Sequence, residues 1–203
     1  MTAPSNAEAL AWLSRGSSTW PDRRLAIWGP PGCGKTHCLR VWAVQSGTAW
    51  QDGPGLRVPP PPATALAIDD ADAVPDPEVL LHTLNHAAVA GTALLLSARL
   101  PPGRWPAGLP DLVSRLRAIT AVEIRPPEDS LLRALLARLL SDRQLAMPSG
   151  VQEWLLLRLP RTAAALREAV ARLDRAQLAM GRAITRGLAA AIVAEMDDPA
   201  EPA

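Results

Sequence analysis

Gly29-Pro30-Pro31-Gly32-Cys33-Gly34-Lys35-Thr36 lies between an apolar run, Arg23 to Trp28, and a stretch from Lys35 to Gln45 that carries Leu39, Trp42 and Ala43 on one helical stripe. The eight residues satisfy G-x-x-x-x-G-K-S/T, and their flanks supply the strand before and the helix after that this motif requires. Glycines let successive backbone N–H groups turn inward as a nest for an anion, and a helix starting at Gly34 adds its positive dipole end at the same point. Lys35 then reaches the outer phosphates and the Thr36 hydroxyl ligates Mg²⁺. Gly29, Pro30, Pro31, Gly32, Cys33, Gly34 and His37 complete the predicted contact set. The motif predicts a phosphate loop that takes ADP or ATP with Mg²⁺. Both nucleotides present the same diphosphate, so the choice between them stays open.

About 30 residues after the loop, Thr64 to Ile68 is an apolar strand closing on Asp69 and Asp70. Two carboxylates at a strand end can face a metal and its waters, with Asp69 holding Mg²⁺ and Asp70 polarising an attacking water. Alone, an Asp-Asp pair there is more often a turn or a helix cap. Following a phosphate loop in a strand-helix-strand layout, it reads as the second half of the site.

Strand and helix signals alternate through the first 124 residues, which predicts a parallel sheet covered by helices. A helix is expected over Ser5 to Arg15, capped by Ser5 or Asn6, and a second strand over Thr48 to Trp50. Asp52 to Pro62 reads as an extended Pro/Gly-rich connection. Asp76 or Pro77 opens a helix to about Ala90, Thr92 to Ser97 is another buried strand, and a short helix at Asp111 to Arg117 leads into a last strand, Ile119 to Ile124. From residue 125 strand signals stop. Amphipathic helices are expected near Glu128 to Arg143, Ser149 to Arg158, Thr162 to Gly181 and Thr185 to Met196, so the boundaries predicted are 1–124 for an α/β domain and 125–203 for an all-helical one.

With 48% apolar and 20% charged residues the chain has enough apolar surface to fold. Twenty-one Lys and Arg against 20 Asp and Glu leave a net charge of +1, so no global field marks a nucleic-acid binder. Apolar runs such as Gly187 to Ala194 fall short of the roughly 20 residues a membrane span needs. The N-terminus lacks secretory-signal features, and a cytoplasmic location follows as an expectation. Cys33 and Cys38 read as free thiols, with Lys35 and the helix N-terminus expected to lower the pKa of Cys33. His82 and His86 share one helix face but have no third ligand at useful spacing, so they read as surface or packing residues.

Several segments, in order, carry a family resemblance. Gly34-Lys35-Thr36-His37 and Ile68-Asp69-Asp70-Ala71 resemble the bacterial initiator DnaA and its shorter relatives, the Hda (HdaA) family, which belong to the AAA+ class. Ser97-Ala98-Arg99-Leu100-Pro101-Pro102 is similar to that group's sensor I segment, and Leu109-Pro110-Asp111-Leu112-Val113-Ser114-Arg115-Leu116-Arg117 to its arginine-finger segment. Asp142-Arg143-Gln144-Leu145-Ala146, Arg161 and Arg182-Ala183-Ile184-Thr185 resemble its helical lid. The resemblance implies a P-loop AAA+ core, a C-terminal helical lid, Arg115 as a finger entering a neighbour's nucleotide site and Arg161 as sensor II.

It further implies a negative regulator of replication initiation that stimulates hydrolysis of DnaA-bound ATP while bound to the DNA sliding clamp, with weak hydrolysis of its own. The chain ends soon after the lid, so no DNA-binding domain is expected. Ala98 replaces an acidic sensor I residue, leaving Ser97 or Arg99 to substitute. No clamp-binding segment of Gln and spaced Leu precedes Ser5, and Gln144-Leu145 and Gln177-Leu178 fall in predicted lid helices. A self-assembling ATPase or helicase-loader-like protein, and a nucleotide-stabilised scaffold, are the alternatives. Homodimers or higher oligomers stay open.

Overall fold

The computed structural model describes residues 1–48, 50–181 and 183–197. The chain divides into two compact units, Thr2–Arg125 and, together with Met1, Pro126–Ala203.

In the first unit five strands, β1 (Arg24–Trp28), β2 (Trp50–Asp52), β3 (Ala65–Asp69), β4 (Ala93–Ala98) and β5 (Thr120–Glu123), form one parallel sheet in the order β2-β3-β4-β1-β5. Every residue of β3 and β4 is buried, which is why both read as unbroken apolar runs without alternation. Helices α1 (Ala7–Ser14) and α2 (Lys35–Gln45) cover one face, where Ala9, Leu39, Trp42 and Ala43 pack on Leu25, Ile27, Ala65, Ala67, Ala93 and Leu95. Helices α3 (Pro77–Ala90) and α4 (Pro110–Ala118) cover the other, where Leu80, Leu84, Leu112 and Leu116 meet Ala26, Leu66, Ile68, Leu94 and Leu96. Odd and even positions of β1 thus feed opposite cores, as the pleat requires.

Local chemistry sets the ends. Asp76 caps α3 through its carboxylate, which accepts the Glu78 N–H at 2.9 Å, and Pro77 takes the first turn. The helix expected from Ser5 or Asn6 starts at Ala7, and the Asn6 side chain accepts the Ala3 N–H at 2.8 Å. The strand expected at Thr48–Trp50 lies later, at Trp50–Asp52. Thr48 is drawn back onto α2, its N–H donating to Ala43 O at 2.9 Å, while its hydroxyl donates to Ala65 O.

In the second unit, α5 (Asp129–Asp142), α6 (Ser149–Arg158), α7 (Ala163–Met180) and α8 (Arg186–Asp197) enclose a separate core. Leu166, Ala169, Val170 and Leu173 of α7 form a stripe at helical spacing against Leu132, Leu136, Leu155 and Ile192. Thr162 caps α7, accepting the Ala165 N–H at 3.1 Å. Around this stripe Arg172 and Arg175 pair with Glu168, and Arg143 pairs with Asp174. Arg182 lies outside the described residues. Among the described residues no helix is long and apolar enough to cross a membrane.

Candidate phosphate-binding site

Strands β1, β3 and β4 run parallel, so their C-terminal ends open on one edge of the sheet, where ligands of such folds sit. Gly29 leaves β1 with its N–H donated to Ala98 O at 3.2 Å. A Cβ on Gly29 would stand 2.1 Å from Ile124 O, so only glycine lets the loop pass this close to the chain after β5. Gly32 and Gly34 adopt φ of 78° and 109°, the left-handed region that lets the loop turn its amides inward. Gly34 is the N-cap of α2, one residue earlier than the helix itself, and the helix's first amides have no intrahelical acceptor.

Lys35 is buried and its ammonium is fully engaged by the loop: Nζ donates to Gly29 O at 2.8 Å and Pro30 O at 3.1 Å, with Cys33 Sγ at 3.9 Å. The positive charge is therefore concentrated at the cradle's mouth. Thr36 follows in the first turn, half-buried, while Pro30, Pro31 and His37 are exposed. The expected activation of Cys33 is not met. Burial raises its pKa and outweighs the nearby Lys35 ammonium, which lowers it. A half-buried thiol loses more hydration as thiolate than one lysine returns.

Asp69 is buried at the end of β3, where its carboxylate accepts the Ser97 hydroxyl of β4. The same Ser97 Oγ accepts the Asp70 N–H at 3.0 Å. Asp70 turns into the left-handed region, φ 47° and ψ 49°, which ends the strand there. Its pKa is raised by burial and by Asp69, an effect eased by Lys35. Lys35, Asp69 and Asp70 thus form one electrostatic cluster. Of the two residues expected to take over the sensor I position, Ser97 is wholly buried and binds Asp69. Arg99 is exposed, its N–H donating to the Asp72 carboxylate at 2.9 Å.

Two residues escaped the sequence reading. Gly53 donates its N–H to Asp69 O at 2.7 Å, and a Cβ there would lie 2.3 Å from Asp70 O. Asp72 holds the chain after β4 as just described. The Asp-Gly step closing β2 was the available signal, but its partner lies 16 residues on. The residues present fit a polyphosphate with Mg²⁺: a glycine cradle that a Cβ would fill, a lysine at its mouth, a hydroxyl in the first helical turn, and two carboxylates opposite.

The two remaining candidates, Arg115 and Arg161, each pair with a carboxylate of their own unit. Arg115, half-buried in α4, pairs with Asp111 one turn earlier, Nε to Oδ1 at 3.2 Å, and lines a cleft with Arg24, the first residue of β1. Arg161 pairs with Asp129 at 2.6 Å within the helical unit. His82 and His86 are exposed, their rings 6.4 Å apart, and no group of three or more His, Cys, Asp or Glu that could hold a metal occurs among the described residues.

No protein-family model and no curated protein matches the sequence. Solved structures do match the fold. Domain III of the Thermotoga maritima replication initiation protein DnaA superposes with a TM-score of 0.77 at 20% identity, covering 98% of this chain and 95% of that one. AMPPCP-bound DnaA from Aquifex aeolicus gives 0.70 at 14% identity, over 90% of this chain and 66% of that one. The Thermotoga maritima RuvB Holliday junction branch migration motor gives 0.67 at 16%, over 92% and 68%. The fold is that of the DnaA-like AAA+ proteins.

Proposed function

We propose that the chain is a regulatory nucleotide-binding protein of the Hda type. In this reading it holds ADP or ATP with Mg²⁺ at Gly29 to Thr36, and presents Arg115 to the ATP of DnaA so that this ATP is hydrolysed after initiation. The sliding clamp is the second partner proposed. Mg²⁺ would be held by Thr36 and, through water, by Asp69. When bound it would neutralise charge on the phosphates, while Lys35 and the loop amides orient them.

The observation that carries this reading is the separation of Arg115 from the chain's own phosphate loop. Arg115 shares its cleft with Arg24, which opens β1, whereas the loop leaves the far end of the same strand after Trp28. Five strand residues span about 16 Å. An arginine at the opposite end of the sheet cannot serve its own nucleotide, which supports reading it as a finger for a neighbour's. There a guanidinium stabilises charge on the γ-phosphoryl as the water oxygen–phosphorus bond forms and the bridging bond breaks, leaving ADP and phosphate. Such a finger is worth a rate factor on the order of 10³ to 10⁵.

The test is phosphate release from ATP-loaded DnaA with clamp and DNA present. The expected outcome is acceleration that Arg115→Ala abolishes, from a protein that retains nucleotide and turns over little alone. Acceleration that survives Arg115→Ala overturns the reading. The Asp69–Asp70 pair favours a second one, a self-assembling ATPase or helicase-loader-like factor. Robust turnover by the protein alone, lost in Asp70→Asn, would establish that instead.

A further inference from the structure

The cleft beside Arg115 is more elaborate than a single finger needs. It encloses about 650 Å³ and is lined by Asp22, Arg23, Arg24, Asp111, Ser114 and Arg115 over small residues of α3 and α4. Three guanidiniums face two carboxylates, so the lining carries one excess positive charge. Arg24 is 8% exposed, and a buried guanidinium is rare without a purpose or a full set of partners. One of its amino groups donates to Leu84 O at 3.1 Å, and the side chain borders the cleft. Burial lowers its pKa, Asp22 opposes this, and Arg115 reinforces it, so the two arginines repel across the cleft.

The backbone is bent to keep this arrangement. Asp22 and Arg23 both adopt positive φ, 48° and 55°, in consecutive non-glycine residues. Such conformations cost on the order of 1 kcal/mol each and persist where the surroundings impose them. The bend sets the Asp22 carboxylate beside Arg24 as a counter-charge. On the other wall Asp111 holds Arg115. Room is kept by Gly91, where an added Cβ would meet nothing within 4 Å.

We propose that this cleft is a two-arginine anion subsite, in which Arg24 joins Arg115 to receive the terminal phosphates of a nucleoside triphosphate carried by a neighbouring protein. The identity of that neighbour rests on the function proposed above; the subsite itself does not. An entering phosphate relieves the repulsion between the arginines and draws Arg115 off Asp111. Arg24, fixed by Leu84 O, supplies a preset donor that needs no reorganisation.

Binding is tested first in the Lys35→Ala protein, which removes the chain's own phosphate loop from the measurement. Tripolyphosphate should bind by calorimetry, and Arg24→Gln and Arg115→Ala should each weaken it by about ten-fold or more. Ser114→Glu places a carboxylate in the cleft from an exposed position without disturbing Arg24, and should abolish binding even if Arg24→Gln proves unstable. No binding by the Lys35→Ala protein, or binding indifferent to Arg24→Gln and Ser114→Glu, overturns the proposal. Displacement of tripolyphosphate by a single-stranded oligonucleotide overturns its assignment to a nucleoside triphosphate.

In the stimulated hydrolysis assay with the wild-type loop, Arg24→Gln should lower the maximal rate by about ten-fold or more, with Arg24→Lys intermediate. Stimulation lost in Arg115→Ala but untouched in Arg24→Gln sinks the two-arginine subsite and leaves the proposed function standing. Stimulation untouched by either sinks both.

Discussion

Ser97 of β4 donates its hydroxyl to the carboxylate of Asp69 on the adjoining strand β3. Because the same oxygen accepts the Asp70 N–H at 3.0 Å, one wholly buried side chain orients both members of the acidic pair. Ser97→Ala leaves a buried carboxylate and an amide short of a partner. The expected loss is about 1–3 kcal/mol in equilibrium urea unfolding. An unchanged midpoint would mean the two hydrogen bonds carry no stability.

The glycines of the first unit are not equivalent. Ala at Gly29 or Gly53 drives a Cβ to within 2.1 Å or 2.3 Å of a backbone carbonyl, so each is expected to cost about 1–3 kcal/mol or more and to displace the loop or the acidic pair. Gly150, inside α6 with open space at its Cβ, provides the contrast, where Gly150→Ala should stabilise by about 0.4–1 kcal/mol. Thermal unfolding of the three variants checks the ordering.

Cys38 packs on the underside of α2, where burial pushes its thiol up to about 11. Native protein holds that proton more tightly than unfolded chain, so the contribution to stability is complete below about pH 9 and is lost as pH rises toward about 11. Cys38→Ser should flatten this alkaline decline in denaturation midpoints. At pH 8 iodoacetamide should modify Cys38 about a hundred-fold more slowly than a free thiol, and Cys33, also raised, more slowly than one.

Arg161 and Asp129 form a 2.6 Å pair with more than half of each side chain in water. Screening makes such a pair worth less than about 1 kcal/mol, so Asp129→Asn should barely move the unfolding midpoint. The sensor II role that the resemblance implies for Arg161 requires that Asp129→Asn, by releasing it, tighten nucleotide binding in calorimetry. Weakened binding in Asp129→Asn would argue against a phosphate-facing role for this arginine.

What the sequence made legible was local. The strand, glycine loop and helix at Arg24 to Gln45 follow from apolar spacing and one motif, and β3 ending in two aspartates follows from a run and its stop. What stayed hidden depends on neighbours far along the chain. Gly53 matters because it lies against Asp69 and Asp70, and Arg24 because α4 brings Arg115 beside it; Ser97 was a candidate, but its hold on the acidic pair exists only because β4 pairs with β3. Cys33 shows a local rule overruled, since proximity to Lys35 predicts an acidic thiol and burial reverses the sign. The strand expected at Thr48 moved because Thr48 closes α2 instead.

Indole placement has an optical consequence. The chain has no tyrosine or phenylalanine, so near-ultraviolet emission comes from seven tryptophans alone. Six of them, including the stacked pair Trp20 and Trp42 at 5.4 Å, belong to the unit that carries the glycine loop. Trp154, with Arg158 and Arg186 at 5.9 Å and 5.8 Å, is the seventh and the helical unit's sole fluorophore. Removing that one ring would darken the helical unit, so a difference spectrum separates the melting of that unit from the melting of the sheet without any external label.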